Sequence, residues 1–591
     1  MLRSVRSLIE NLSAERLRLL PAPPVPVQLE VDENDLVVIS LLVTLPAGDS
    51  DNHQSLLSGL AERGFRMTTW AGRIAAGYMN LRDTDALEEL EGDLYIEAAH
   101  VVHPEIDVSV PEAWHSPHRW PLWAGRDVLV GIVDAGIDPA HPSLRTADGA
   151  TRIVRLWDQT KKMGPAAWPA GYRYGAEWDS AAIDRYLAPA ANVAFPGKVA
   201  QHGTAVAGIA AGNGLCAPAG RYVGVAPGAD LVVVTLNASA RTFASTQNVI
   251  DAINYVFAVA GELGKRAVVN LSEGTQLGAH DPNEQLALGI SELLAEDEKR
   301  VVVTSMGNTG EEDAHARFFV PAGGSVDLEI DVPRHVGPYV TLDLWYDVAD
   351  AVSVQVIDPA GNPSSVADHD LPYGETLGSD KCDIKIQPNV PAVDANQIVV
   401  TLTTVDNMGD VAKGRWIVRL TDGYVPSGQP FHGWLARGMT ASPSFAPPYA
   451  DPDCTMTQPA AAREILPVSA YCLAPRLGTF AELSSRGPDR LGRELDGLAA
   501  PGRPVTSCSA AALYPGSPHV ADSGTSYAAA HVTGAVAVLL GRQPSITRKQ
   551  VIDCLLANAR TDQDTANGPA SGWGAGKLDI SAALDCALTP W

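Results

Sequence analysis

Three side chains in this sequence have the makings of an activated nucleophile: the carboxylate of Asp134, the imidazole of His202 and the hydroxyl of Ser526. A serine hydroxyl is a weak nucleophile at neutral pH, so it needs a base that takes its proton during attack and returns it to the leaving group. Histidine supplies that base, and a carboxylate behind the ring holds the tautomer and stabilises the imidazolium. Taken singly the three are ordinary. Ser526, within Ser523-Gly524-Thr525-Ser526, is also what a helix cap looks like; an acid before glycine is common turn chemistry; and lone histidines are mostly structural.

The elements predicted around them put each residue at an element end. VLVGIVDAGID (128–138) is a continuous apolar run of the kind that forms a buried parallel strand, and Asp134 falls at its carboxyl end, where such strands face a ligand crevice. QHGTAVAGIAAG (201–212) sets His202 at the start of a small-residue helix. DSGTSYAAAHVTGAVAVLL (522–540) is a polar turn running into an Ala-rich helix, so Ser526 meets the unpaired N–H groups and positive dipole end that favour developing negative charge.

Together the three run in the order Asp, His, Ser, and the text around each is specific: IVDAGIDPAHPSL, HGTAVAGIAAG and GTSYAAAHVTG. GVAPGADLVVV (224–234), VVNLSEG (268–274), VVVTSMGN (301–308), FAELSSRGPD (480–489), LAAPG (498–502) and GWGAGKLD (572–579) add to it. The sequence resembles the subtilases, subtilisin-like serine peptidases, over essentially all of 125–310 and 465–585. The departures are Ala135 after the acid, Ala205 in place of a common second histidine, and Tyr527 and Ala530 where Met and Pro are usual. None removes a reacting group, although losing the proline at 530 takes stiffness from the first turn of the serine helix.

The resemblance implies a serine endopeptidase working through an acyl-enzyme, with Asp134, His202 and Ser526 as its triad. It implies that Asn308 stabilises the oxyanion together with the Ser526 backbone N–H, and that Ser272, Glu273 and Gly274 form a strand edge that binds extended peptide by β-augmentation. Glu273 is unusual, since that position is commonly apolar in the family. Its carboxylate either favours basic residues in the peptide or points to water, and the sequence leaves both open. The alternative for the whole chain is a catalytically silent, subtilase-like scaffold that binds peptides.

The rest of the chain divides around this core. Residues 1–35 read as an amphipathic helix and a Pro-rich linker, PAPPVPV. From 36 to 104 the pattern is βαββαβ, an α+β ferredoxin-like unit that, lying directly before such a core, resembles a subtilase prodomain acting as an intramolecular inhibitor, with its tail around Ala98 to Pro104 entering the site. The catalytic unit occupies 105–315 and 441–591. Between them, 316–440 turns to seven alternating strands, an inserted antiparallel β-sandwich that resembles the jelly-roll of germination proteases in spore-forming bacteria. The expected fold is thus α/β: a subtilisin-like parallel sheet flanked by helices, with the ferredoxin-like unit before it and the jelly-roll-like sandwich within it. WHSPHRWPLW (114–123) reads as a buried anchor where the N-terminal unit meets the core.

Composition narrows the partners. A formal charge of −26 argues against binding a phosphate backbone, and 46% hydrophobic with 19% charged residues describes a globular protein. The N-terminal segment has its apolar positions broken by Arg3, Arg6, Glu10, Glu15 and Arg16, and the longest apolar run, Leu36 to Leu45, is far short of a bilayer span. The expectation is a cytoplasmic protein that binds neither membrane nor nucleic acid and takes polypeptide as substrate, with room for a regulatory protein partner. No metal or other cofactor is expected; a structural calcium ion is compatible with the family, but nothing in the sequence indicates one. Seven cysteines without metal-ligand spacing read mostly as free, buried thiols.

Overall fold

The computed structural model describes residues 29–31, 37–46, 50–71, 73–80, 95–98, 101–104, 112–113, 124–188, 195–215, 222–237, 244–368, 373–406, 408–438, 440–474, 476–494, 496–510 and 518–588. The expected N-terminal helix and Pro-rich linker, the stretch 83–92 that supplies the second helix of the expected βαββαβ pattern, the tryptophan-rich stretch at 114–123 and Cys216 lie outside these residues.

The N-terminal unit consists of β1 (Leu29–Val31), β2 (Val37–Thr44), α1 (Ser50–Glu62), β3 (Arg66–Ala71), β4 (Ile74–Asn80) and β5 (Tyr95–Ala98). β2 pairs antiparallel with β1, β4 and β5, and β3 pairs with β4. A separate strand, β6 (Val101–Pro104), follows. The core then supplies β7 (Val128–Asp134), β8 (Ile153–Asp158), β9 (Ala176–Asp179), α2 (Gln201–Ala211), β10 (Asp230–Thr235), β11 (Ala244–Ser245), α3 (Thr246–Leu263), β12 (Arg266–Leu271), β13 (Glu273–Gly274), α4 (Gln285–Ala295) and β14 (Arg300–Ser305).

The inserted strands are β15 (His315–Phe318), β16 (Ser325–Val332), β17 (Tyr339–Asp347), β18 (Ala351–Ile357), β19 (Tyr373–Leu377), β20 (Asp380–Val390), β21 (Ala395–Thr404), β22 (Gly414–Tyr424), β23 (Phe431–Leu435) and β24 (Ser444–Phe445). The core resumes with β25 (Leu466–Cys472), β26 (Leu498–Arg503), α5 (Thr525–Arg542), α6 (Arg548–Ala557) and α7 (Ile580–Leu588).

The central sheet runs in the order β26-β25-β14-β12-β7-β10-β8-β9 and is parallel except for β9. Its apolar strands are buried on both faces, as all-parallel sheets must be. In β7 the period of two is visible: Val128, Val130 and Ile132 pack with α2 and α5, whereas Leu129 and Val133 pack with α3 and α4. α5 is buried from Thr525 to Leu540, so its all-round apolar sequence reflects a helix enclosed by protein. Gly534 permits this, because a Cβ there would lie 2.4 Å from Val225 and 2.8 Å from the Ala210 carbonyl.

The N-terminal sheet packs on α3 and α4, with Ile74 and Ala76 entering the same apolar cluster as Ile250, Ile253 and Ile290. The contact has a polar centre. Thr68 Oγ1 donates to Asp251 Oδ1 at 2.8 Å, Thr69 donates to the same oxygen, and Tyr174 donates to Oδ2 at 2.8 Å. Burial nevertheless dominates and raises the Asp251 carboxyl to about 6.

The insert forms two antiparallel sheets, β15-β23-β17-β21-β20-β19 and β18-β22-β16-β24, closed over a core that includes Leu328, Leu344, Trp416 and Phe431. Three of its strands escape the sequence pattern. β19 is a short edge strand containing Gly374, β15 has four residues, and β24 lies past the expected boundary at 440, in a stretch that reads as a proline-flanked return linker. β17 is buried on both faces because its outer side meets the catalytic unit: Trp345 and Trp434 pack with Ala279, and Asp343 Oδ2 accepts the Gly278 N–H at 2.8 Å.

The cysteine expectation holds for four residues and needs correction for two: Cys382, Cys454, Cys472 and Cys508 are buried thiols outside any disulfide, but Cys554 and Cys586 form a disulfide between α6 and α7. Neither spacing nor number reveals that pair. It is created by the packing of the two helices, which brings the Cα atoms to 5.6 Å. Among the described residues, no helix is long and apolar enough to cross a membrane.

Candidate active site

Asp134 is the last residue of β7 and is fully buried. His202 is the second residue of α2, and its Nδ1 lies 2.8 Å from Asp134 Oδ1. An ionised carboxylate only accepts, so Nδ1 carries the hydrogen and the neutral ring keeps Nε2 as its basic atom. Asp134 Oδ1 also accepts the Ala135 N–H at 2.7 Å, which fixes the carboxylate from a second side. The close approach of α2 to this strand end requires Gly203, where a Cβ would sit 2.2 Å from the Gly136 carbonyl and 2.9 Å from Asp134 Oδ1.

Ser526 lies on α5, which packs against α2, and the His202 ring meets the Tyr527 ring edge-on at 5.5 Å. Ser526 is not the helix cap: that position is Gly524, and Ser526 is the second helical residue. Its backbone N–H therefore belongs to the first turn, whose donors have no acceptor within the helix.

Asn308 comes to the same turn from the loop after β14. Its Oδ1 accepts the Thr525 N–H at 2.9 Å and the Thr525 hydroxyl at 3.1 Å. A backbone N–H can only donate, so these bonds identify the oxygen and aim the Asn308 amide nitrogen away from Thr525. Thr525 Oγ1 in turn accepts the Gly307 N–H at 3.1 Å, locking the loop to the helix.

The predicted strand edge is present as β13. Ser272 Oγ donates to the Ser526 carbonyl at 3.3 Å and accepts from Asn270 Nδ2 at 2.7 Å, while Asn270 Oδ1 accepts from Thr533 Oγ1 at 2.9 Å. This chain ties the edge to the helix that carries Ser526. Gly274 is needed where it stands, because a Cβ would lie 2.5 Å from Thr457 Oγ1. The other rim is β11, and β6 lies between them, antiparallel to both: Val102 faces Ala244, His103 faces Gly274 and Pro104 faces Glu273.

Glu273 does not point to water. It is 2% exposed, and its carboxylate stands beside the Asp–His pair: donor atoms of Asp134, His202 and Glu273 all lie within 4.8 Å of one another. Lys198 belongs to the same charge cluster. Burial lowers its pKa, opposed first by Glu273 and then by Asp158 and Asp134. Asn270, Thr525, Thr533 and Lys198 went unnoticed in the sequence. Asn270 stands inside the VVNLSEG motif, and Thr525 and Thr533 inside GTSYAAAHVTG, so all three had a local signal; Lys198 had none.

A second set of donors, His315, His432 and Cys454, also falls within 4.8 Å in the seam between core and sandwich. There the two imidazoles bond each other, His315 Nε2 to His432 Nδ1 at 3.0 Å.

The family model described as the subtilase family matches residues 125–411 and 437–576. The PI-type proteinase of Lactococcus lactis subsp. cremoris is 25% identical over 241 residues, which is 39% of this chain and 12% of that protein, so the match spans about an eighth of that relative's length. The PII-type proteinase of Lacticaseibacillus paracasei matches to the same extent. Among solved structures, the Clostridium perfringens CspB protease has the same fold, with a TM-score of 0.69 at 22% identity over 81% of this chain and 96% of that one.

Proposed function

The chain belongs to the subtilase family of serine proteases, and from that premise we propose that it is an endopeptidase in which Asp134, His202 and Ser526 act as one unit. The observation that carries this reading is the 2.8 Å contact between His202 Nδ1 and the buried Asp134 carboxylate, which leaves Nε2 as the basic atom of the ring. In the proposed reaction Ser526 Oγ attacks the peptide carbonyl while His202 Nε2 takes its proton. The imidazolium, stabilised by Asp134, returns that proton to the leaving amine, and water then resolves the acyl-enzyme by the same route. The tetrahedral oxyanion is met by the Ser526 N–H and the Asn308 amide, whose orientation is preset by its bonds to Thr525.

We further propose that the N-terminal unit holds the site latent. β6 occupies the position between β11 and β13 that an extended substrate needs, and its antiparallel register sends the chain from Pro104 toward Ser272, whose hydroxyl contacts the Ser526 carbonyl. Covalent attachment gives this strand a high effective concentration, so modest intrinsic affinity suffices to block the cleft. The test is to incubate wild type and Ser526→Ala and sequence all new N-termini. New termini that appear only in wild type, on the chain itself or on an added unfolded protein, support the assignment; identical patterns from both, also after limited proteolysis of the N-terminal unit, overturn it.

A further inference from the structure

Glu273 is a buried acid at a place where an acid has electrostatic consequences. Two carboxylates, Asp134 and Glu273, and one imidazole, His202, have atoms within 4.8 Å of one another in a site closed to water. Two carboxylates that close keep both charges in a low-dielectric site only where a cation offsets them; otherwise one of them takes up a proton. Two cations are available there. One is Lys198, half-buried, for which Glu273 is the strongest stabilising charge. The other is His202 itself, once it has taken a proton.

We propose that Glu273 is a positioning residue for the reaction: a second buried carboxylate that, with Lys198 as its counter-ion, sets the pH range over which His202 passes from base to acid. The inference rests on the catalytic reading of Asp134, His202 and Ser526. Asp134 fixes the ring through Nδ1, whereas Glu273 acts on the charge of the ring without replacing that contact. The other charged groups around the cluster are Asp158, fully buried at the end of β8, and Lys161, which lies 4.0 Å from Asp158. α5 contributes the Tyr527 ring on the remaining side and brings no formal charge there. A neighbouring carboxylate favours the imidazolium and Lys198 disfavours it, so the two residues move the His202 midpoint in opposite directions. The strand carrying Glu273 is also the strand that β6 covers, so a seated peptide excludes water from the pair and strengthens its effect.

The test uses the full chain carrying Ser526→Ala and 15N-labelled histidine, with the His202 signal assigned by its loss in His202→Gln. Glu273→Gln, which keeps the shape and removes the charge, should lower the His202 midpoint by at least about one pH unit. Lys198→Met should raise it. A His202 midpoint unchanged in Glu273→Gln overturns the proposal; should that variant not fold, an unchanged or lowered midpoint in Lys198→Met does so instead. The catalytic reading fails separately, by absence of peptide cleavage in the wild-type chain even after limited proteolysis of the N-terminal unit, and that result leaves the titration comparison intact.

Discussion

His202 and the group formed by His280, His315 and His432 are all buried, yet their partners differ in charge. His202 meets a carboxylate at 2.8 Å. His315 and His432 meet each other at 3.0 Å, and His280 stacks flat on Trp434 with ring centres 4.0 Å apart. With no carboxylate in hydrogen-bond contact, burial pushes their pKa values down, to about 3 for His280, about 4 for His315 and about 2 for His432. Burial alone therefore makes a histidine a neutral packing group. A buried carboxylate beside the ring is what lets it accept and hold a proton, and only the first arrangement suits a base.

The largest expected effect separates the two groups. His202→Ala, like Asp134→Ala or Ser526→Ala, should lower peptidase turnover by several orders of magnitude in a folded protein, because the three act as a unit. His432→Ala should instead lower thermal stability and leave turnover per folded molecule within a few-fold. Parallel peptide assays and melting curves check both, and a loss of turnover in folded His432→Ala would break the contrast.

Next in size is Asn308→Ala, expected to reduce turnover by about 10²–10³ with little change in KM, since the amide engages charge that exists only near the transition state. Single-peptide kinetics decide it, and an effect confined to KM would assign Asn308 to ground-state binding.

Asp251 offers the acidic counterpart of the comparison. Docking of the N-terminal sheet holds its carboxyl at about 6, whereas release would expose it and return it toward the ordinary value near 4. A raised pKa in the docked state means that docking takes up a proton, so docking should tighten as pH falls through about 6 toward 4, by about 10–100-fold. Protection of residues 66–80 from hydrogen exchange, measured across that range, should rise toward acid and become flat in Asp251→Asn.

The smallest effect lies in the seam. His280, His315 and His432 have pKa values depressed below the unfolded 6.5, so their contribution to stability is complete above that pH and is lost as pH falls below it. Trp434 fluorescence should report loosening of the seam that starts below about pH 6, before the parallel sheet opens; a signal flat to pH 4 would contradict it.

Asp134, His202, Ser526 and Asn308 were legible in the sequence because each lies in a contiguous motif at the end of a strand or helix, where local pattern fixes position. The parallel strands were legible for the same reason: an apolar run such as VLVGIVD has few other fates. The seam was not, since His315 and His432 stand 117 positions apart and nothing local marks either as a partner of the other. Glu273 was found but not placed. It sits on β13, whose backbone at Gly274 packs closely on Thr457, a residue that the inserted sandwich separates from it in sequence. The Cys554–Cys586 bond was hidden likewise, because the pairing depends on how α6 and α7 lie together.

The central claim is that His202, held by Asp134, activates Ser526. A fluorophosphonate probe tests it most directly, applied to the full chain with and without limited proteolysis of the N-terminal unit, with the adduct mapped by mass spectrometry. The account predicts a single adduct on Ser526, faster after proteolysis, abolished by Ser526→Ala and strongly slowed by His202→Ala. Folded protein that acquires no adduct under either condition, or carries it on another serine, would contradict it.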